Sequence, residues 1–70
     1  MANSVYKVIE LIGTSDKGWE DAARAAVERA SKSLRELRIA EVVEQDIIIK
    51  KGKIEAYRTK LRVSFKFEGD

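Results

Sequence analysis

The chain has 70 residues, 37% of them charged, yet its net charge is only +2, so it holds one domain at most and no polybasic arm for nucleic acid. It contains no cysteine and no histidine, which excludes disulfides and removes the usual zinc ligands. Domains this small bury only about 60% of the surface their unfolded chains expose, and with disulfides and zinc excluded, oligomerisation is the expected compensation.

Val5 to Ile12 (VYKVIELI) reads as a first strand rich in β-formers. Lys7 and Glu10 have opposite parity, so each face carries one charge among apolar residues, as expected if both faces are partly covered. Gly13 is expected to end this strand and open the turn Gly13-Thr14-Ser15-Asp16-Lys17-Gly18, in which Ser15 or Asp16 can cap a helix. The spacing then predicts an amphipathic helix reaching Leu37, with Trp19, Ala22, Ala23, Ala26, Ala30, Leu34 and Leu37 along one face. Its opposite face is a charge ladder, Glu20, Arg24, Glu28, Lys32 and Glu36, worth roughly 0.2–0.5 kcal/mol per favourable pair. The apolar stripe is mostly alanine, so each residue buries little area and the helix needs a close-fitting sheet.

Arg38 to Lys50 is the second strand, ending in Ile47-Ile48-Ile49, which puts large apolar groups on both faces. Lys50-Lys51-Gly52-Lys53 reads as a hairpin turn with Gly52 at positive φ. The third strand alternates: Tyr57, Thr59, Leu61, Val63, Phe65 and Phe67 face the core, and Arg58, Lys60, Arg62, Ser64 and Lys66 face away. The fold class is therefore α+β, a β-α-β-β domain over residues 1–70 with a three-stranded antiparallel sheet around one helix. The other sheet face mixes isoleucines with a basic row, which suits a subunit interface or a ligand site.

Few motifs carry chemistry. Gly13 to Gly18 has P-loop spacing, but Trp19-Glu20 stand where Lys and Ser/Thr are required, so nucleotide hydrolysis is not supported. Without Cys or His no acyl-transfer triad can be built, and no carboxylate pair stands out, so an enzyme is not expected. Glu41, Glu44 and Asp46 on the second strand either supply oxygen ligands to a hard cation or are solvated acids and intersubunit ion-pair partners. Trp19 is read as packing onto the sheet edge rather than stacking on a ligand. No apolar run approaches the roughly 20 residues that span a membrane and no signal peptide is visible, so a cytoplasmic location is expected.

Taken together, Val5-Tyr6-Lys7-Val8-Ile9-Glu10, Gly13-Thr14-Ser15, the alanine-rich helix, Glu41-Val42 and Val63-Ser64-Phe65 resemble the dodecins, in order and without gaps. The resemblance implies a hollow homododecamer of cubic 23 symmetry built from trimers. It also implies a non-enzymatic flavin binder that stacks isoalloxazine rings between tryptophans of two-fold-related subunits. On that resemblance the stacking tryptophan falls at Ile39, the ring-binding glutamine at Arg58 and a phosphate-binding arginine at Asp46, while Lys66 keeps the expected charge. An isoleucine lacks the aromatic stack, worth about 0.5–1.5 kcal/mol per pair, and Asp46 repels a phosphate.

The expectation is thus that the fold carries over and the flavin site, at Ile39, Arg58 and Lys66, does not. A branch of the family without the flavin residues looks like a calcium-binding group, and Glu44-Gln45-Asp46 with Ile39 is similar to it, which points to Glu44 and Asp46 as metal ligands. Two other readings stand beside it: a flavin dodecin with an atypical pocket, and an interaction module whose basic row binds an acidic partner.

Overall fold

A computed structural model describes residues 3–66. It contains β1 (Tyr6–Ser15), α1 (Trp19–Ala30), β2 (Leu37–Lys50) and β3 (Lys53–Lys66), in the expected β-α-β-β order. The sheet is antiparallel with spatial order β1-β3-β2, so the last strand is central. Its central place explains its clean alternation. Thr59, Leu61 and Val63 are buried under the helix, and the basic residues between them face the other way. Phe67, expected in the same core row, lies outside the described residues.

The helix lies across β1 and β3, closing a small core of Ala22, Ala26, Ala30, Leu61 and Val63 with Ile9, Leu11 and Val27 at its rim. Gly13 does not end β1; it pairs with Thr59 and the strand continues to Ser15. A Cβ at Gly13 would collide with the Ala22 carbonyl oxygen and come within 3.0 Å of the Ala26 Cβ. The glycine is there because helix backbone touches strand backbone, not because the chain turns. This is the close approach that the alanine stripe permits.

Three local expectations are corrected. Neither Ser15 nor Asp16 caps the helix: the N-cap is Gly18, with no side-chain cap bond. Ser15 closes β1, where its hydroxyl donates to Asp21 Oδ2 at 2.8 Å and accepts from the Lys17 N–H at 2.9 Å. The helix stops at Ala30 instead of running to Leu37. Ser31 donates its hydroxyl to the Val27 carbonyl at 2.7 Å, a local bond of the kind that competes with helix propagation, and Glu36 then sits at φ 59° before β2 starts. Lys32 and Glu36 are therefore off the helix, and the ion pair found on its exposed face is Arg24–Asp21 at 3.3 Å.

The β2–β3 hairpin turns on Lys51 (φ 53°) and Gly52 (φ 75°), a two-residue turn with both residues left-handed, as the twist of a hairpin favours. The molecule measures 55 × 20 × 14 Å with a radius of gyration of 14.5 Å. A compact chain of this length would have about 11 Å, so the protomer is drawn out rather than globular. Ile39, Val42, Ile49 and Ile54 are each more than half exposed.

Candidate functional site

The register decides which side chains share the helix-free face of the sheet. Three rungs cross it: Glu10–Arg62–Glu41, Ile12–Lys60–Glu44 and Thr14–Arg58–Asp46. Each has a base from β3 at its centre. Arg62 reaches Glu10 at 3.0 Å and Glu41 at 3.7 Å, and Lys60 lies 3.9 Å from Glu10. The strongest contact is on the third rung, where the Arg58 guanidinium donates Nε to Asp46 Oδ1 and one terminal nitrogen to Oδ2, both at 2.7 Å. Two parallel charge-assisted bonds of this length fix the pair's geometry. The Arg58 hydrogen bonds and charge hold the Asp46 carboxyl below the usual carboxylate range, against a smaller opposing effect of desolvation.

Two bulges create this arrangement. A plain two-residue hairpin would put Asp46 opposite Tyr57; the extra residue Glu55, between the pairs Ile48–Ala56 and Ile49–Ile54, moves Asp46 opposite Arg58. The extra residue Val43 then brings Glu41 onto the same face as Glu44 and Asp46, although its parity is opposite. Nothing in the local sequence marks either bulge. Glu44, Asp46, Arg58, Lys60 and Ile12 line a small cleft of about 80 Å³. A space of that size admits water or a small hydrated ion.

The sequence-predicted residues thus divide into two groups. Glu44 and Asp46, expected as metal ligands, stand together with Arg58. Ile39 and Lys66 lie towards the other end of β3: Ile39 pairs with Ser64 and Lys66 with Tyr6. Six residues of strand separate Arg58 from Ser64, on the order of 20 Å, so one protomer does not bring Ile39, Arg58 and Lys66 into one pocket. Ile39 is two-thirds exposed, with no wall of its own chain around it. Among the described residues no three carboxylates converge as a metal cluster, so a cation held here needs oxygens from elsewhere.

Trp19 does pack on the sheet, edge-to-face on Tyr57 with ring centroids 5.2 Å apart. Its indole N–H also donates to the Asp46 carbonyl at 3.0 Å, and the Thr59 hydroxyl donates to the Trp19 carbonyl at 2.9 Å. Sequence reasoning missed this link between the start of the helix and the strand that carries the carboxylates. One signal was visible: Thr59 is a lone hydroxyl in an otherwise apolar core row, and such a group needs a partner.

Comparison with known proteins gives consistent results. The family model described as Dodecin matches residues 5–68. The chain is 56% identical over 64 residues to the calcium dodecin of Mycobacterium tuberculosis, covering 90% of this chain and 89% of that one. It is 44% identical over 64 residues to the dodecin of Thermus thermophilus, covering 91% and 93%. The crystal structure of the Mycobacterium tuberculosis protein, described as a calcium-chelating antigen with a novel calcium-binding site, superposes with a TM-score of 0.84 over 96% of both chains at 53% identity.

Proposed function

The chain belongs to the dodecin family, and we propose that it is a hollow homododecamer that binds and buffers calcium through Glu44 and Asp46. Dodecins are small ligand-binding proteins rather than enzymes. The observation that carries the choice of ligand is the pairing of Glu44 and Asp46 on one exposed strand face in a chain 56% identical to a protein named for calcium. Calcium takes six to eight oxygen ligands at about 2.3–2.6 Å. Two carboxylates supply four at most, and the remainder come from water or from a neighbouring copy. A shared site of this kind would explain why one protomer shows only part of it.

The helix-free face supports self-assembly in the same way. It mixes exposed Tyr6, Val8, Ile12 and Ile39 with rungs of alternating charge, so a second copy can bury the apolar groups while the charges fix its register. Flavin is the weaker reading, because Ile39 offers no aromatic ring and the donors of Arg58 are already engaged with Asp46. No helix of the described residues is long and apolar enough to cross a membrane, and a cytoplasmic site of action is the one we favour.

Melting curves of metal-stripped protein with CaCl₂, MgCl₂ or riboflavin in separate cells test the choice. Calcium is expected to raise Tm, since a ligand bound only to the folded state at a hundred times its Kd adds about 2.7 kcal/mol. A shift with riboflavin alone would overturn the calcium reading in favour of flavin.

A further inference from the structure

We propose that Arg58 is a built-in competitor for the cation: in the free protein it holds both oxygens of Asp46, and a divalent ion binds only by displacing it. This inference rests on the cation reading above and concerns the regulation of that same site.

The geometry makes the competition direct. Bidentate ligation of calcium by Asp46 would use Oδ1 and Oδ2, and each accepts a 2.7 Å bond from the guanidinium. Glu44, two residues along the same face, makes no ion pair among the described residues and stands opposite Lys60. An arriving ion therefore meets one ready carboxylate and one engaged carboxylate. The contest is also winnable. The Arg58 and Asp46 side chains are 40% and 43% exposed, so a hydrated ion can approach and the guanidinium can swing into water without being stranded. A bidentate pair is stronger than an ordinary surface ion pair, but exposed to this degree it is screened by solvent, so displacing it costs an ion affinity without forbidding it.

Charge then gives selectivity. A monovalent cation that displaces Arg58 replaces one positive charge with another and gains nothing from the exchange. A divalent cation brings one charge more to Glu44 and Asp46, so calcium displaces Arg58 where sodium and potassium do not; the displacement costs every cation the same, and Arg58 thereby keeps weak monovalent binding off the site.

The test titrates CaCl₂ into metal-stripped wild type, Arg58→Gln and Arg58→Lys by calorimetry, in low and high KCl, with assembly mass checked by light scattering. Arg58→Gln is expected to bind calcium about tenfold more tightly, a gain of about 1.4 kcal/mol, with unchanged stoichiometry and greater inhibition by KCl. Arg58→Lys, which keeps the charge but loses the fork, should fall between the two. Calcium affinity should rise while the Tm of the calcium-free protein falls slightly, whereas a purely structural role would lower both. A wild type that binds calcium alongside an Arg58→Gln protein that binds it equally or less tightly overturns the competition and leaves the cation reading standing. Should Arg58→Gln fail to assemble, an Arg58→Lys affinity equal to wild type overturns it as well. If neither wild type nor the variants bind calcium, the cation reading falls and the competitor role falls with it.

Discussion

Gly13→Ala is expected to lower the stability of the protein by about 3 kcal/mol or more, and Gly18→Ala by less than about 0.5 kcal/mol. The two glycines flank the same connection, yet their surroundings differ completely. A Cβ at Gly13 meets the Ala22 carbonyl oxygen and the Ala26 Cβ, whereas one at Gly18 meets nothing within 4 Å. Gly18 is also in an extended conformation, φ 162°, that any residue adopts. At Gly13 the obstruction is helix backbone, which no rotamer change relieves, so the helix must lift off β1 and open the row of Ala22, Ala26 and Ala30. A domain of this size has net stability of about 3.5–10 kcal/mol, so the loss is a large part of the whole. The expected readout is a fall in Tm on the order of 10–20 °C for Gly13→Ala. Equal melting curves for the two variants would show that the helix does not approach the strand as closely as described.

Ile39→Glu is expected to break the proposed dodecamer while leaving the protomer's secondary structure intact. Ile39 is 67% exposed in the protomer and contributes nothing to its core, so its own chain loses little. Packed against another copy, a buried isoleucine contributes about 1.5–3 kcal/mol, and symmetry repeats the contact in every subunit. A glutamate at that place loses this term and adds a desolvated charge to each contact. Light scattering should report species well below twelve subunits, with an unchanged far-ultraviolet circular dichroism spectrum. Ile39→Val, which shortens the side chain by one methylene, should still assemble. An Ile39→Glu protein of unchanged mass would remove Ile39 from the subunit interface.

Much of this fold was legible because short-range patterns decided it. The alternation of β3 named the buried residues Thr59, Leu61 and Val63, and Lys51-Gly52 named the turn. The alanine spacing named the helix face that is buried at Ala22, Ala26 and Ala30. Where the reading failed, a long-range contact decided the outcome. Gly13 looks like a strand terminator, and only the helix lying on it shows that its role is close approach. The helix ends at Ala30, where the Ser31 hydroxyl bonds back to Val27, while the apolar spacing through Leu34 and Leu37 continues past it.

The candidate site was half legible for the same reason. Parity alone places Glu44 and Asp46 on one face, and the structure agrees. The Asp46–Arg58 pair needs the register, and the register needs the bulge at Glu55, which has no sequence signature of its own. Arg58 stands where the family resemblance places a ring-binding glutamine, and its bond to a carboxylate across the strand shows only in the structure. The bond from Trp19 to the Asp46 carbonyl spans 27 positions in the chain and follows from no local pattern.

Whether Glu44 and Asp46 hold calcium is decided by calorimetric titration of CaCl₂ into assembled, metal-stripped wild type and a Glu44→Gln/Asp46→Asn double variant. Removing two negative ligands should weaken binding at least about a hundredfold, since calcium affinity follows the number of charged ligands. Saturable binding to the wild type is expected, with none measurable at the same concentrations in a double variant of unchanged mass. Equal binding by the two proteins, or no binding by the wild type, would contradict calcium binding through Glu44 and Asp46.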